Sequence, residues 1–361
     1  MADLPASVTG GVDTHKDLHV AAALDGVGRL LATQSFPTTT AGYRGLLGWL
    51  RSFGTVTAVG VEGTGSWGAG LARYLAAQDV KVLEVNRPNR QQRRRRGKSD
   101  PADAEAAARS VLAEQAIGTP KATNGVIEAV RLLRLARRSA VKARTQAANQ
   151  IHSVIDTAPE ELRAQLIALP TAARIARCSR LRPADVATPL GAAKLALVSL
   201  ARRWSALDAE IDTLGTELGH LVAVAAPSLV AVKGVGTEVA GALLSAAGDN
   251  PERLISEASF AALCGASPID ASSGRNQRHR LNRGGDRQAN CALFTVVLNR
   301  LTWDDRTRAY MARRTAEGKS KREVIRCLKR YVARELYREI RKISAATTPV
   351  SLPDEMSPNA A

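Results

Sequence analysis

Four acidic residues stand where an α/β chain could gather them. Asp13 lies in Gly10-Gly-Val-Asp-Thr-His-Lys-Asp17, at the end of a short apolar run, and Glu62 closes the run Val56–Val61. Asp100 and Asp103 are three residues apart at the start of a helical stretch, so they share a face. Carboxylates crowded at one spot are costly unless divalent cations neutralise them. Two Mg²⁺ about 3.5–4 Å apart in such a site activate a nucleophile and stabilise the leaving oxygen of a phosphodiester displacement. Each residue also has a plain reading. Asp100 before Pro101 suits a helix N-cap with proline at the first helical position, and Asp103 favours the helix dipole. His15 and His19 read as ordinary strand residues rather than ligands.

Phosphodiester chemistry needs a polyanion, and the charge supplies a place for one. Against 34 Asp+Glu there are 51 Lys+Arg, a formal net charge of +17. The surplus is clustered. Residues 87–98, RPNRQQRRRRGK, hold seven Arg/Lys and no acid, including Arg93, Arg94, Arg95 and Arg96. Residues 275–287 hold five Arg, among them Arg275, Arg278, Arg280 and Arg283, with a single acid. The stretch 313–342 carries twelve Lys/Arg against four Glu. Any one cluster reads equally as a solvated face, but three together predict phosphate-backbone contacts. Aromatics make up only 4% of residues, so base-stacking platforms are poorly supported. Lys233-Gly-Val-Gly236-Thr before a helix resembles a helix-hairpin-helix element, and equally a plain helix–helix turn.

The elements that must position these groups follow from the pattern. At roughly 150 residues per domain, 361 residues predict two or three domains. Strands are expected over Gly10–Asp13, Leu18–Leu24 and Arg29–Phe36, with Asp25-Gly26 as a hairpin signal. A helix through Tyr43–Leu50, capped within Thr38–Thr40, precedes the strand Val56–Val61. A helix over Trp67–Gln78, a strand over Val80–Val85 and a helix from Pro101 to Glu114 complete a β-β-β-α-β-α-β-α order. That is the order of a ribonuclease H-like (RuvC-like) mixed sheet, so the fold class is α/β followed by an all-α part. Residues 125–155 read as one long helix. Leu197, Leu200, Trp204, Leu207, Ile211, Leu214, Leu218 and Leu221 step by 3, 4, 3, 4, 3, 4, 3, an a/d repeat for a coiled-coil arm. The arm either drives a homo-oligomer, dimer or tetramer, or packs internally on 125–155. A helical C-terminal part interrupted by a polar loop at 266–288 follows. The expected domains are 8–118, 124–225 and 226–345.

Other classes recede. The four cysteines never approach CxxC spacing, which argues against zinc and disulfides and suits a reducing, cytoplasmic setting. No secretory leader is expected, and no stretch approaches about 18 uninterrupted apolar residues, so no membrane span is expected. Gly63-Thr-Gly65-Ser-Trp-Gly68 is a literal GxGxxG, with Glu84 where a Rossmann acid would sit. However, the chain opens with a hairpin rather than a βαβ unit, and Glu62 would face the pyrophosphate. A sugar-kinase or actin-type ATPase shares the core, but Thr14-His15 replaces its glycine-rich turn and the basic charge has no use there.

Gly11-Val-Asp-Thr-His-Lys-Asp17, Val61-Glu-Gly-Thr-Gly65 and Lys98-Ser-Asp-Pro-Ala-Asp103 resemble the three acidic motifs of DEDD transposases of the insertion sequence 110 family. Val235-Gly-Thr, Gly265-Ala-Ser-Pro268, Ser272-Ser-Gly274 and Arg280-Leu-Asn-Arg-Gly-Gly285 resemble that family's C-terminal transposase domain. The resemblance runs over about 8–340. It implies a RuvC-like domain, a coiled-coil insertion and Mg²⁺-dependent DNA recombination with a serine nucleophile. In characterised members it also implies a structured guide RNA. By motif, Asp13, Glu62, Asp100 and Asp103 map onto the metal-binding tetrad. The nucleophile maps onto Ser273, with Ser272 one residue away. The other class is a non-catalytic nucleic-acid-binding protein that retains the fold.

Overall fold

A computed structural model describes residues 6–85, 99–116, 118–275 and 279–343. Arg93, Arg94, Arg95, Arg96 and Arg278 lie outside the described residues. By packing, the chain divides into two units, one of residues 1–125 and 247–259, the other of 126–246 and 260–361. The spans 124–225 and 226–345, read from sequence as separate domains, share the second unit apart from these few residues.

The first unit is built on a five-stranded sheet. Strands β1 (Ser7–Thr14), β2 (Leu18–Asp25) and β3 (Leu30–Pro37) run antiparallel. Asp25 shapes the second turn, its Oδ1 accepting from the backbone N–H of Val27 (3.1 Å) and Arg29 (2.8 Å). Helix α1 (Thr40–Arg51) follows, with the Thr39 hydroxyl accepting from the Gly42 N–H at 3.1 Å. Strands β4 (Thr55–Glu62) and β5 (Val82–Val85) add in parallel, giving the order β3-β2-β1-β4-β5. Helix α2 (Ala69–Ala76) separates them. Leu46, Leu47 and Leu50 of α1 and Leu71 and Leu75 of α2 bury against Val12, Val59 and Val61 on one sheet face. Each such aliphatic side chain contributes about 1.5–3 kcal/mol of burial.

The other face takes helix α3 (Asp100–Leu112). A Cβ on Gly11 would lie 2.2 Å from the Ala108 nitrogen and 2.3 Å from the Ala104 carbonyl oxygen. Only a residue without a side chain lets α3 settle directly on β1. Strand order, pairing directions and a helix on each face make this unit a ribonuclease H-like fold. Two details differ from the sequence expectation. The fifth strand begins at Val82 rather than Val80, because Val80 closes the turn after α2 by bonding back to Leu75. Ser99, not Asp100, is the residue preceding α3, and Asp100 is its first helical residue.

The second unit is helical. Helices α4 (Val126–Asp156), α5 (Glu160–Leu166), α6 (Thr171–Ser179) and α7 (Pro189–Ala225) come first. Proline precedes or opens α5, α6 and α7, where its fixed φ and missing N–H cost nothing. Helices α4 and α7 pair within the chain. Ile151 and Ile155 meet Leu197 and Ala201, with Leu162, Leu166, Ile175 and Cys178 closing the cluster. The bunched arginines of α4 are partly structural. Arg134 is buried and reaches Glu238 at 3.4 Å, Arg137 also pairs with Glu238, and Arg144 pairs with Asp208 of α7.

Short α8 (Pro227–Val230), α9 (Thr237–Ala247) and α10 (Glu257–Leu263) lead to a two-stranded ladder, β6 (Ile269–Asp270) with β7 (His279–Arg280). Helices α11 (Arg287–Trp303), α12 (Asp305–Ala316) and α13 (Lys321–Ile343) follow. Val324, Leu328, Val332, Leu336 and Ile340 recur nearly every turn and form the buried stripe of α13. Among the described residues no helix is long and apolar enough to cross a membrane.

Candidate active site

Alternation along the strands decides which side chains can meet. Val12 and Val61 are register partners and both face the α1/α2 core, so Asp13 and Glu62, one residue on, turn to the α3 face. The Thr14 hydroxyl ties the two strand ends together by donating to the Glu62 carbonyl at 2.8 Å. Asp13 is opposite Val20, which packs with Ala22 and with Ala104 of α3. The first turn of α3 therefore arrives over the end of β1, carrying Asp100 and buried Asp103.

Asp13 is itself buried, 8% exposed. Burial pushes its carboxyl above the usual range; His15 opposes this, and the charges of Asp103 and Asp100 add to it. A carboxylate raised by burial and by like-charged neighbours is a site short of positive charge. His15 stands closest to it: its Nε2 lies 3.2 Å from Asp13 Oδ2 and 3.4 Å from Asp100 Oδ1. His15 is thus not a strand residue, since β1 ends at Thr14 and the histidine sits in the turn before β2. Asp13, His15 and Asp100 offer ligand atoms within 4.8 Å of one another, a set able to hold a cation. His19 keeps its expected place in the sheet. It is fully buried, stacks on Tyr43 at 5.7 Å, and burial lowers its pKa, which favours the neutral ring.

The glycine motif Gly63–Gly68 forms the turn from β4 into α2. Glu84, the would-be ribose acid, instead accepts from the buried Thr64 hydroxyl at 2.8 Å. That pairing and the antiparallel opening of the sheet leave the dinucleotide reading without support.

The second unit holds Ser272 and Ser273, both exposed, beside Gly274. Ser272 bonds to Asp270 through its backbone N–H (2.9 Å) and its hydroxyl, which hold the Asp270 carboxyl below its usual range. Among the described residues Ser273 has no such partner. Arg275, Arg280 and Arg283 are exposed, Arg280 within β7.

That segment is held by a backbone crossing. Gly285 has φ +82, and a Cβ there would meet the Leu263 carbonyl oxygen at 2.6 Å. Asn290 clamps the crossing, donating to the carbonyls of Cys264 (2.8 Å) and Gly265 (3.1 Å) and accepting from buried Lys329 at 2.8 Å. Sequence reasoning missed Asn290, Lys329 and the role of His15. The GASP and NRGG motifs mark the crossing, but nothing in their spacing names the residues that fasten it.

Two family models match the chain. Residues 10–158 match the transposase model for DEDD enzymes of the IS110 group, and residues 226–312 match the model described as transposase, IS116/IS110/IS902 family. No curated protein matches the chain.

Proposed function

The chain belongs to the IS110 family of DEDD transposases, and from that premise we propose a division of labour for cutting and rejoining DNA. In this reading Asp13, Glu62, Asp100 and Asp103 hold Mg²⁺. The observation that carries it is the buried Asp13 carboxyl, raised by burial and by Asp103 and Asp100 at the mouth of two parallel strands. When bound, the cation supplies charge stabilisation at the reacting phosphate. The chain's own residues position it: β1 and β4 fix Asp13 and Glu62 side by side, and Gly11 brings the first turn of α3 over them.

Ser273 supplies the nucleophile. Its hydroxyl attacks a DNA phosphorus, a P–O bond to the leaving strand breaks, the serine proton is given up to a general base, and the departing oxygen takes up a proton. A seryl–DNA ester joins protein to strand, and attack on that ester by a second strand's hydroxyl restores the serine. Ser272 is less suited, because its hydroxyl is already committed to Asp270. Arg275, Arg280 and Arg283 stand within ten residues to hold the phosphate and its developing charge. A structured guide RNA from the element fits the same basic chain, with Arg93, Arg94, Arg95, Arg96 and Arg278 as further phosphate contacts.

The test is covalent trapping. Incubation with labelled element-junction DNA, the element's flanking RNA and Mg²⁺ should leave an adduct that survives denaturation. It should disappear in Ser273→Ala and persist in Ser272→Ala. The reverse pattern moves the role by one residue, and the absence of any adduct favours attack by metal-activated water.

A further inference from the structure

The second unit has two adjoining hollows, of about 940 and 720 Å³, on either side of a ridge made by Tyr310, Arg313, Tyr331 and Arg334. Both fall within the roughly 300–1,000 Å³ of sites that enclose a small organic group. The charge in them differs. In the larger hollow the acids are already taken, Glu335 by Arg300 at 2.7 Å and Asp304 by Lys233 at 3.5 Å. In the smaller, eight Lys and Arg side chains line the wall with one acid, Glu323, and of the eight Arg314 pairs with Glu317 outside it at 2.6 Å. One of the eight, Lys329, is buried and fixed by Asn290, so a hydrogen-bond donor is built into the wall rather than added at the rim.

The ridge is aromatic in a chain that has few aromatics. Tyr310 and Tyr331 meet edge to face at 5.6 Å, and the guanidinium of Arg313 stands 5.3 Å over the Tyr310 ring. Tyr331 remains 53% exposed. Paired duplex offers phosphates but keeps its base faces stacked inside, so it cannot stack a base on an open ring. An unpaired nucleotide has both a base to stack and a phosphate to neutralise.

We infer that this pocket binds an unpaired nucleotide, its base stacked on Tyr331 and its flanking phosphates held by the arginines of α12 and α13. The strand is RNA or DNA, since both offer the same base face and phosphate. This binding needs neither the serine nor the metal, so it can fail while strand cleavage stands, and hold in a cleavage-dead chain.

The experiment measures binding of the full chain, with EDTA present, to fluorescent hairpins that differ only in carrying an internal bulge. Each is made as RNA and as DNA. Tyr331→Ala should weaken binding to the bulged hairpin by about tenfold and leave the fully paired one unchanged, while Tyr331→Phe keeps wild-type affinity. The strand type that shows the larger loss identifies the natural occupant. Three results overturn the inference: no effect of Tyr331→Ala, an equal loss on bulged and paired hairpins, or a loss in Tyr331→Phe that matches alanine.

Discussion

Asp13 shows how burial and charge set a task for a single side chain. Its carboxyl is raised by burial first, then by Asp103 and Asp100, against the opposing pull of His15. An acid whose pKa is raised in the folded chain favours its protonated form there. In metal-free protein the Asp13 contribution to stability is therefore fully present below the ordinary carboxylate value, about 3.9, and is lost as pH rises through the raised value. A cation reverses this by binding the ionised form. Melts in EDTA should show the wild-type Tm falling relative to that of Asp13→Asn across that window. At neutral pH, Mg²⁺ at about 100 times its Kd should stabilise the wild type by about 2.7 kcal/mol. An Asp13→Asn, Asp103→Asn double variant should show no such shift. A full Mg²⁺ shift in the double variant would remove these residues from the metal site.

At the scale of elements, the site depends on how closely α3 lies on β1. Gly11→Ala pushes a methyl to within 2.3 Å of two α3 backbone atoms, which cannot swing aside as a side chain can. Overpacking of this kind costs about 1–3 kcal/mol or more, and it also displaces the turn that carries Asp100 and Asp103. The urea midpoint should fall and Mg²⁺ affinity with it. Gly48→Ala on the exposed face of α1, where a Cβ meets nothing within 4 Å, should instead gain about 0.8–1 kcal/mol of helix propensity. Equal effects at the two positions would contradict the close-approach argument.

The strands β1 to β4 were legible in the sequence because apolar runs ended by Asp25-Gly26 and by Glu62 carry local signals. The approach of α3 was not, since Gly11 looks like any strand glycine until the helix above it is known. Asp100 read as an N-cap for the same reason: capping is a local preference, whereas its contact with His15 depends on a turn 85 residues earlier. The tyrosine ridge was hidden differently. A 4% aromatic content describes the average of the chain, and folding placed two of its five tyrosines together among arginines.

At the scale of the whole molecule, the question is what the heptad seam of α7 does. Leu197, Ile211 and Leu218 are buried, at 0%, 4% and 1% exposure, within the unit where α7 pairs with α4. Leu207 and Leu214 are only half-buried. An a/d seam covered by one antiparallel partner retains an open flank, and that flank suits a second copy of the chain. Association through it would bring two sets of Asp13, Glu62, Asp100 and Asp103 into one particle, which suits strand exchange between two DNA ends. Lys at Leu207 and Leu214 can lift its ammonium to solvent from a half-covered position, so each chain should keep its helicity and Tm. If two chains associate through this flank, the same two charges enter their interface, and the particle mass by light scattering should fall. Leu218→Lys is the contrast, because a charge at a fully covered position has no route to water and should lower Tm outright. If Leu207→Lys with Leu214→Lys leaves the mass unchanged and lowers Tm as Leu218→Lys does, the whole seam is spent within one chain, and assembly must run through another surface.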